Sequence, residues 1–241
     1  MSEVYTIVTV ANQRPVQNYY TFDEHFRSLR GEVPLVLGTH PGEYGGLGSK
    51  PRLLYHAIKE KGITTPYIIF NDCFDLVYAC EPSNLFLKYQ QFASPIVVSA
   101  EKNCFPTDLK EQYDALGEDI DTPYQYLNSG MIVGETEAIL AVLESMDAKN
   151  IPNDYWDGQQ MVNPNDQLYW QHEFIKQPVK ISLDRYQILC NTLHDVTADE
   201  LDFEQDRIFN KTTKTFPCSF HLNGGAKTGG LREPILEKLK L

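Results

Sequence analysis

Short β-rich runs alternate with helical patterns along residues 4–101, and this alternation is the feature that most restricts the fold. Such alternation is typical of the α/β class, and it predicts a mostly parallel, twisted sheet with helices on both faces. Ligands of such sheets bind at the carboxyl ends of the strands. Strands are predicted at 4–11, 33–38, 66–72 and 94–101. Helices are predicted around 18–29 (with Tyr19, Phe22, Phe26 and Leu29 on one face), after Lys50 (with Leu53, Leu54, Ala57 and Ile58 inward) and at about 82–92.

The second half of the chain is less regular. Its predicted elements are a long loop over 102–125, a strand at 126–134, a helix at 135–146, a loop at 153–165, a helix at 166–176, strands at 179–184 and 215–224, and an acidic, exposed segment at 194–206. The sequence contains no internal repeat and no low-complexity linker. A chain of 241 residues with these features is predicted to form a single domain.

Composition and charge exclude several classes of protein. The net charge of −12 argues against non-specific binding to DNA, RNA or an anionic membrane, because phosphate groups attract local positive charge. No apolar run approaches the roughly 18 residues needed to span a bilayer, and the first residues show no signal peptide. The five cysteines include no CxxC pair, so we expect reduced thiols, a cytoplasmic protein and no zinc site.

Two carboxylates interrupt the apolar run "YIIFNDCFDLVYA". Asp72 ends the third predicted strand, and Asp75 follows three residues later. If the strand ends at Asp72 and one helical turn follows, both carboxylates face the same point. Oxygen ligands in that position suit Mg²⁺ or Mn²⁺. In the alternative interpretation, Asp72 caps a helix and Asp75 is exposed.

His221 is the candidate for a third metal ligand. It ends the strand-like run "TFPCSF" and precedes "LNGG". An imidazole beside two carboxylates favours Mn²⁺ over Mg²⁺. The alternative is a histidine with a purely structural role.

Three polar segments are further candidates for a ligand site. The glycine-rich loop "GEYGGLGSK" lacks the adjacent Gly-Lys-Ser/Thr of a phosphate-binding P-loop, but it places Lys50 at a helix start. Asn128 and Ser129 follow an apolar segment, and Asp166 begins a predicted helix. The alternatives are a surface loop, a turn and a helix cap, respectively.

These motifs, in this order, resemble the glycosyltransferase domain of the procollagen lysyl hydroxylases, a GT-A-type fold. The resemblance covers most of the chain and is carried by "VTVA" (8–11), "GSKPRLL" (48–54), "FNDCFDLVYA" (70–79), "NDQLYW" (165–170) and "FHLNGGAK" (220–227). It implies a nucleotide-binding half over about 1–101 and an acceptor-side half over about 102–241. It assigns Asp72, Asp75 and His221 to the metal; Asp166 and Gln167 to the transferred sugar; Thr9, Val10 and Ala11 to the nucleotide base; and Lys50, Asn128, Ser129, Asn223, Gly224 and Lys227 to the nucleotide-sugar site.

The resemblance implies a glycosyltransferase that takes its sugar from a UDP-sugar and uses Mn²⁺, or Mg²⁺ in its place. A cation neutralises the leaving diphosphate, Lys50 and Lys227 add positive charge, and Asp166 serves as a base or stabilises the sugar. The expected acceptor is a hydroxyl group on a modified DNA base, a protein side chain or a saccharide. The sequence shows no hydroxylase domain or secretory signal, so we do not expect collagen as the acceptor, and we expect the protein in the cytoplasm, or in the host cytoplasm if its source is viral. The alternatives are a non-catalytic nucleotide-sugar-binding module and a nucleotide-sugar hydrolase.

Overall fold

A six-stranded sheet forms the centre of the computed structural model, which describes residues 4–12, 20–60, 62–117, 121–176, 181–204, 207–227 and 229–241. Its helices are α1 (Phe22–Ser28), α2 (Ser49–Lys59), α3 (Pro82–Tyr89), α4 (Lys110–Asp114), α5 (Thr136–Ser145), α6 (Asp166–Lys176) and α7 (Arg232–Leu239). Its strands are β1 (Tyr5–Val10), β2 (Leu35–Leu37), β3 (Tyr67–Asp72), β4 (Leu76–Tyr78), β5 (Ile96–Glu101), β6 (Tyr126–Glu135), β7 (Tyr155–Trp156), β8 (Met161–Val162), β9 (Ile181–Asp184), β10 (Asn191–Thr192), β11 (Leu201–Phe203), β12 (Ile208–Asn210) and β13 (Ser219–His221).

The strand order of the central sheet is β2-β1-β3-β6-β5-β9. The pairs β1–β2, β1–β3 and β5–β9 are parallel, whereas β6 runs antiparallel to both of its neighbours. The prediction of a mostly parallel α/β sheet is therefore confirmed. Parallel pairing of β1 with β3 sets Val10 opposite Asp72, so both strands end at the same edge.

Helices cover both faces of this sheet, as the alternating pattern predicted. Ile68 and Phe70 of β3 join the apolar cluster that includes residues of α2, α5 and α6. Ile69, which points the other way, joins the cluster that includes residues of α3. Successive side chains of a strand face opposite sides, so residues 68–70 of β3 are all apolar because this part of the strand is buried on both faces.

A small second sheet, in the order β10-β13-β4, lies immediately beyond the end of β3. The prediction of a helical turn after Asp72 is wrong, because the chain makes a bend over 73–75 and then enters β4. Strand β13 pairs antiparallel with β4, and His221 faces Leu76. This pairing brings a residue from the end of the chain to within one position of Asp75.

The two segments predicted as loops and the acidic segment predicted as exposed contain regular structure. The 102–125 segment includes α4, the 153–165 segment forms the β7–β8 hairpin, and the acidic 194–206 segment carries β11, paired with β12. Val196 and Leu201 are buried, so the acidic segment is anchored to the core and is not wholly exposed. The first helix begins at Phe22, and positions 18 and 19 of its predicted range lie outside the described residues. Within the described ranges, no helix combines the length and apolar character that a membrane crossing requires.

Candidate active site

Asp72, Asp75 and His221 meet at the edge of the sheet where β1 and β3 end. One donor atom from each of the three residues lies within 4.8 Å of the others. His221 Nε2 is 3.7 Å from Asp72 Oδ2 and 3.4 Å from Asp75 Oδ1. Two carboxylate oxygens and one imidazole nitrogen facing a common point form a donor set that suits a divalent cation.

Each of these side chains is held by an outer partner through its other polar atom. Asp72 Oδ1 accepts a hydrogen bond from Lys50 Nζ at 2.5 Å, and Asp75 Oδ2 pairs with Lys227 Nζ at 2.7 Å. His221 Nδ1 lies 3.0 Å from Asn128 Oδ1. Because an amide oxygen only accepts, Nδ1 carries a proton, and Nε2 is the ring nitrogen that faces the two carboxylates. Such outer contacts orient metal ligands and select the histidine tautomer.

The absence of a side chain at Gly130 makes room for the His221 ring. A Cβ atom at this position of β6 would lie 2.2 Å from both Cε1 and Nδ1 of His221. Contacts that short do not occur, so any other residue would displace the imidazole. The backbone N–H of Gly130 donates to Asn128 Oδ1 at 2.9 Å. This bond fixes the Asn128 amide, which in turn orients the His221 ring.

Opposite charges decide the protonation of the buried groups. Burial alone would raise the pKa of Asp75, but His221 and Lys227 outweigh it and hold the pKa well below the usual value. Burial alone would lower the pKa of Lys50, but the carboxylates of Asp166 and Asp72 outweigh it and raise the pKa. Asp75 likewise outweighs burial at Lys227 and raises its pKa. Both lysines therefore stay charged, and Asp75 stays ionised, as a metal ligand must be.

Asp166 lies in the first turn of α6, and the predicted bounds of this helix, 166–176, are confirmed. Its carboxyl is buried, and Oδ2 is 3.5 Å from Lys50 Nζ. Among the residues that the structure describes, Asp166 Oδ2 has no hydrogen-bond partner. Burial raises the pKa of this carboxyl, Lys50 opposes that effect, and Asp72 adds to it. The neighbouring Ser129 side chain opposes the rise in pKa.

A cavity of about 270 Å³ opens over these groups. Of the residues predicted as the site, those that line the cavity are Lys50, Asp72, Asp75, Asn128, Ser129, Asp166, Gln167, His221, Asn223, Gly224 and Lys227. Thr9, Val10 and Ala11 are not in its lining, because their side chains are buried in the sheet beside β3. The structure therefore brings together eleven of the fourteen predicted residues, and the other three lie at the end of β1, beside the strand that carries Asp72.

Glu101 belongs to the cavity wall, and we did not assign it a role from the sequence. Its buried carboxylate accepts hydrogen bonds from Gln167 Nε2 at 2.7 Å and from Asn223 Nδ2 at 3.0 Å. It thereby connects α6 with the segment that follows His221. A carboxylate at the end of the buried strand β5 is the same signal that identified Asp72 on β3. The other lining residues that sequence reasoning missed are Leu47, Phe105, Gly130, Asn165 and His194.

The chain matches the family model described as the PLOD GT domain over residues 2–231. An uncharacterized protein, R699, of Acanthamoeba polyphaga mimivirus is 33% identical over 164 residues, which cover 66% of this chain and 32% of that protein. Procollagen-lysine,2-oxoglutarate 5-dioxygenase 1 of Rattus norvegicus is 30% identical over 198 residues, which cover 78% of this chain and 25% of that protein. The chain therefore spans a third or less of the length of these curated relatives.

Two solved structures share the fold. The crystal structure of a glycosyltransferase involved in the glycosylation of the major capsid of PBCV-1 gives a TM-score of 0.53 at 11% identity, over 99% of this chain and 100% of that one. Mouse xyloside xylosyltransferase 1, in its apo form, gives a TM-score of 0.54 at 14% identity, over 92% of this chain and 98% of that one. The protein has the GT-A fold of these glycosyltransferases, and it belongs to the PLOD GT domain family.

Proposed function

We propose that this protein is a metal-dependent glycosyltransferase that moves a sugar from a UDP-sugar to a hydroxyl group of an acceptor. The observation that carries the proposal is the convergence of Asp72, Asp75 and His221, each held by an outer partner, on one point of a polar cavity. Family membership and fold support the reaction class. The metal, the donor and the acceptor are inferred from the chemistry of the cavity.

Asp72, Asp75 and His221 fit a divalent cation on two grounds. Lys50, Lys227 and Asn128 each contact one polar atom of a proposed ligand. The second polar atom of each ligand therefore faces the other two ligands. The imidazole favours Mn²⁺, and the carboxylates also accept Mg²⁺. When bound, such a cation acts as a Lewis acid that neutralises negative charge on the leaving diphosphate.

Two lysines support binding of the diphosphate. The ammonium groups of Lys50 and Lys227 flank the metal ligands on two sides. As fixed cations in a partly closed cavity, they would stabilise the negative charge that develops on the leaving UDP. Asn223 and Gly224 line the same wall as Lys227. We place the nucleoside at the end of β1, near Thr9, Val10 and Ala11, because Val10 lies beside Asp72 in the sheet.

Asp166 and Gln167 are the proposed residues beside the transferred sugar. The buried Asp166 carboxyl has a raised pKa, and a weaker acid is a stronger base towards an acceptor hydroxyl. In a retaining reaction the same carboxylate would stabilise the positive charge that builds up on the sugar ring. Gln167 is held between Asn128, Phe105 and Glu101, so its position is fixed before any substrate binds. The anomeric configuration of the product distinguishes the two roles of Asp166.

Thermal unfolding with UDP tests the donor and the metal together. A ligand at a hundred times its dissociation constant adds about 2.7 kcal/mol to the unfolding free energy. We expect UDP to raise the melting temperature in Mn²⁺ and much less in EDTA. Asp75→Asn should abolish the metal-dependent part of the shift. Asp202→Asn makes the same chemical change at an exposed position of β11 and should keep the metal-dependent rise in melting temperature. If UDP and Mn²⁺ raise the melting temperature of Asp75→Asn as much as that of the wild type, the assignment of Asp75 as a metal ligand is wrong.

Release of UDP from a panel of UDP-sugars then tests the reaction. Each UDP-sugar is incubated with Mn²⁺ alone and with acceptors that carry a hydroxylated nucleobase, a hydroxylated peptide or a saccharide. A transferase releases UDP faster with one acceptor class than with water alone. Equal rates with every acceptor and with none would identify a nucleotide-sugar hydrolase. Binding of UDP without release from any UDP-sugar would identify a non-catalytic module.

A further inference from the structure

Two free cysteines, Cys80 and Cys218, lie side by side where β4 and β13 separate. Beyond the last ladder pair, the N–H groups of both Ala79 and Cys80 donate to the carbonyl oxygen of Cys218, at 2.8 and 3.2 Å. Two residues of one strand thus face one residue of the other, as in a β-bulge. Antiparallel neighbours have Cα atoms about 4.5–5.5 Å apart, which is a separation that a disulfide spans.

The two thiols lie close together and differ in accessibility. The Cys80 thiol donates to the Glu81 carbonyl oxygen at 3.3 Å, and it lies near enough to Cys218 for each thiol to shift the pKa of the other. Cys80 is partly exposed, whereas Cys218 is 1% exposed. A dissolved reagent therefore reaches Cys80 first, and Cys218 is held within reach behind it.

The surroundings of Cys218 favour its thiolate. The Lys88 ammonium donates to the Phe216 carbonyl at 2.7 Å, which places its charge near Cys218. The neighbouring Cys80 and the charge of Lys88 lower the pKa of Cys218 in spite of its burial. By contrast, Cys218 and burial raise the pKa of Cys80, and burial raises the pKa of Cys73 and Cys190. Because the thiolate is the nucleophile in disulfide exchange, Cys218 is suited to resolve a bond formed at Cys80.

We propose that Cys80 and Cys218 are a redox-active pair that a small-molecule disulfide such as oxidised glutathione converts into a protein disulfide. Cys80 Sγ passes its proton to Cys218 Sγ as it attacks one sulfur of oxidised glutathione, forms a mixed disulfide and releases one glutathione, which then takes up that proton. Cys218 Sγ then attacks Cys80 Sγ, breaks the mixed disulfide and releases the second glutathione. The cysteines lose two electrons, oxidised glutathione gains them, and the two thiol protons leave on the two glutathione thiols.

This bond would join the two strands that carry metal ligands from distant parts of the chain. Asp75 immediately precedes β4, and His221 ends β13. The disulfide would also close a loop of more than half of the chain, and closure of a long loop lowers the entropy of the unfolded state. Oxidation is therefore expected to stabilise the strand pair on which the metal centre rests. The inference stands on the contacts of the two cysteines and does not require the proposed transferase activity.

Peptide mapping of the full chain under non-reducing conditions tests the pair. After treatment with oxidised glutathione, we expect one dominant disulfide that links the peptides containing Cys80 and Cys218. Cys80→Ser should abolish it. Cys104→Ser, which removes the other partly exposed cysteine, should leave it in place. A stable glutathione adduct on Cys80 of the wild type, a different pairing, or no disulfide would each overturn the proposal.

The melting temperature supplies an independent readout. Oxidised wild-type protein should melt roughly 5–10 °C above the reduced protein, as expected when a disulfide closes a long loop. Oxidation should not shift the melting temperature of Cys80→Ser. An equal shift in Cys80→Ser, or a fall in the wild type, would contradict a stabilising bond between these strands.

Discussion

At the scale of single residues, the candidate metal centre depends on how each ligand uses its two polar atoms. One atom of each of Asp72, Asp75 and His221 is held by Lys50, Lys227 or Asn128, and the other faces the shared point. The ligands are therefore oriented before a cation binds, and ions bind more tightly to a site that needs no rearrangement. We therefore expect Lys50, Lys227 and Asn128 to affect cation affinity nearly as much as the ligands do.

Gly130→Ala tests the packing of the His221 ring. The new methyl group would lie 2.2 Å from two ring atoms, so the imidazole must move away from the carboxylates. We expect Mn²⁺ affinity, measured by isothermal titration calorimetry, to fall roughly 10–100-fold, as for other changes that misorient a metal ligand. Gly230→Ala is the control, because a Cβ there meets nothing within 4 Å. Unchanged affinity in Gly130→Ala would show that His221 does not bind the metal.

Lys50→Met tests the charge balance of the cavity. Lys50 Nζ is 2.5 Å from Asp72 Oδ1 and 3.5 Å from Asp166 Oδ2, so its removal leaves the buried Asp166 carboxylate and the partly buried Asp72 carboxylate without their cation. Loss of one partner from a buried ion pair costs about 3–5 kcal/mol. We expect urea denaturation in EDTA to show a loss of this order, and Mn²⁺ to restore part of it.

The control for Lys50→Met is Lys59→Met, which breaks an exposed ion pair with Glu144. Exposed pairs contribute little to stability because water and salt screen them. If the two variants lose similar unfolding free energy, then the carboxylates near Lys50 do not depend on its positive charge for stability. If Mn²⁺ restores nothing in Lys50→Met, then the cation does not bind beside Asp72.

At the scale of secondary-structure elements, short strands and loops at the sheet edge place the ligands. The three-residue strands β4 and β13 bring His221 opposite Leu76, and the turn after β9 brings Cys190 and the following β10 alongside β13. Elements this short have little intrinsic stability, so side-chain contacts from neighbouring segments must support them. His25 and Asp184 make two such supporting contacts, and each leads to a prediction about stability.

His25 on α1 makes stability depend on pH. Its ring is fully buried, Nδ1 lies 2.8 Å from the Leu76 carbonyl oxygen of β4, and burial lowers its pKa to about 4. The unfolded chain takes up this proton near pH 6.5, so the unfolding free energy is highest above pH 6.5 and falls as the pH drops towards 4. This histidine alone accounts for a loss of about 3 kcal/mol over that window.

Denaturation of His25→Asn between pH 4 and pH 7 checks this prediction. The asparagine amide keeps an N–H donor for the Leu76 carbonyl but does not titrate. We expect the variant to be less stable than the wild type at pH 7 and to approach it as the pH falls. A constant difference between the two proteins across the window would rule out His25 as the source of the pH dependence.

Asp184 supports the turn that follows β9. Its two oxygens accept hydrogen bonds from the backbone N–H groups of Ile188, Leu189 and Cys190, at 2.7–2.9 Å. In Asp184→Asn, an NH₂ group must face at least one of these donors, which leaves a buried donor without an acceptor. We expect a loss of about 2 kcal/mol in urea denaturation. Asp202→Asn, on the exposed side of β11, should change little, and equal stability of the two variants would contradict this role.

At the scale of the whole molecule, the candidate metal centre lies between the central sheet and the small second sheet. Asp72 ends β3 of the central sheet, and His221 belongs to β13 of the small one. A bound cation would therefore cross-link segments that are far apart in the chain, and a ligand that binds only the folded state stabilises the elements it joins.

Hydrogen exchange with and without Mn²⁺ tests this connection. We expect Mn²⁺ to slow amide exchange in β4 and β13, because local opening of these strands separates the ligands. The β11–β12 hairpin contains no ligand and should exchange at the same rate in both conditions. Equal protection of the hairpin and the ligand strands would indicate global stabilisation instead. No protection in β13 would contradict a cation held by His221.

Much of the fold was predictable because it rests on local patterns. The buried strands β1, β3, β5 and β6 each contain a short apolar run, and the bounds of α6 follow from its helical spacing and from the acidic residue in its first turn. The segments predicted as loops were harder to assign. Helix α4 and the β7–β8 hairpin are too short for a periodic signal, and packing on the rest of the protein stabilises them.

The sequence by itself determined which residue types could serve as metal ligands and which short motifs surround them. The tertiary structure alone decided how the ligands meet: β13 pairs with β4 and so brings His221 to Asp75, and Gly130 leaves room for the ring. It also added Glu101, which connects Gln167 with Asn223. These features depend on contacts between residues far apart in the chain, and the periodicity of a single sequence carries information only about neighbours along it.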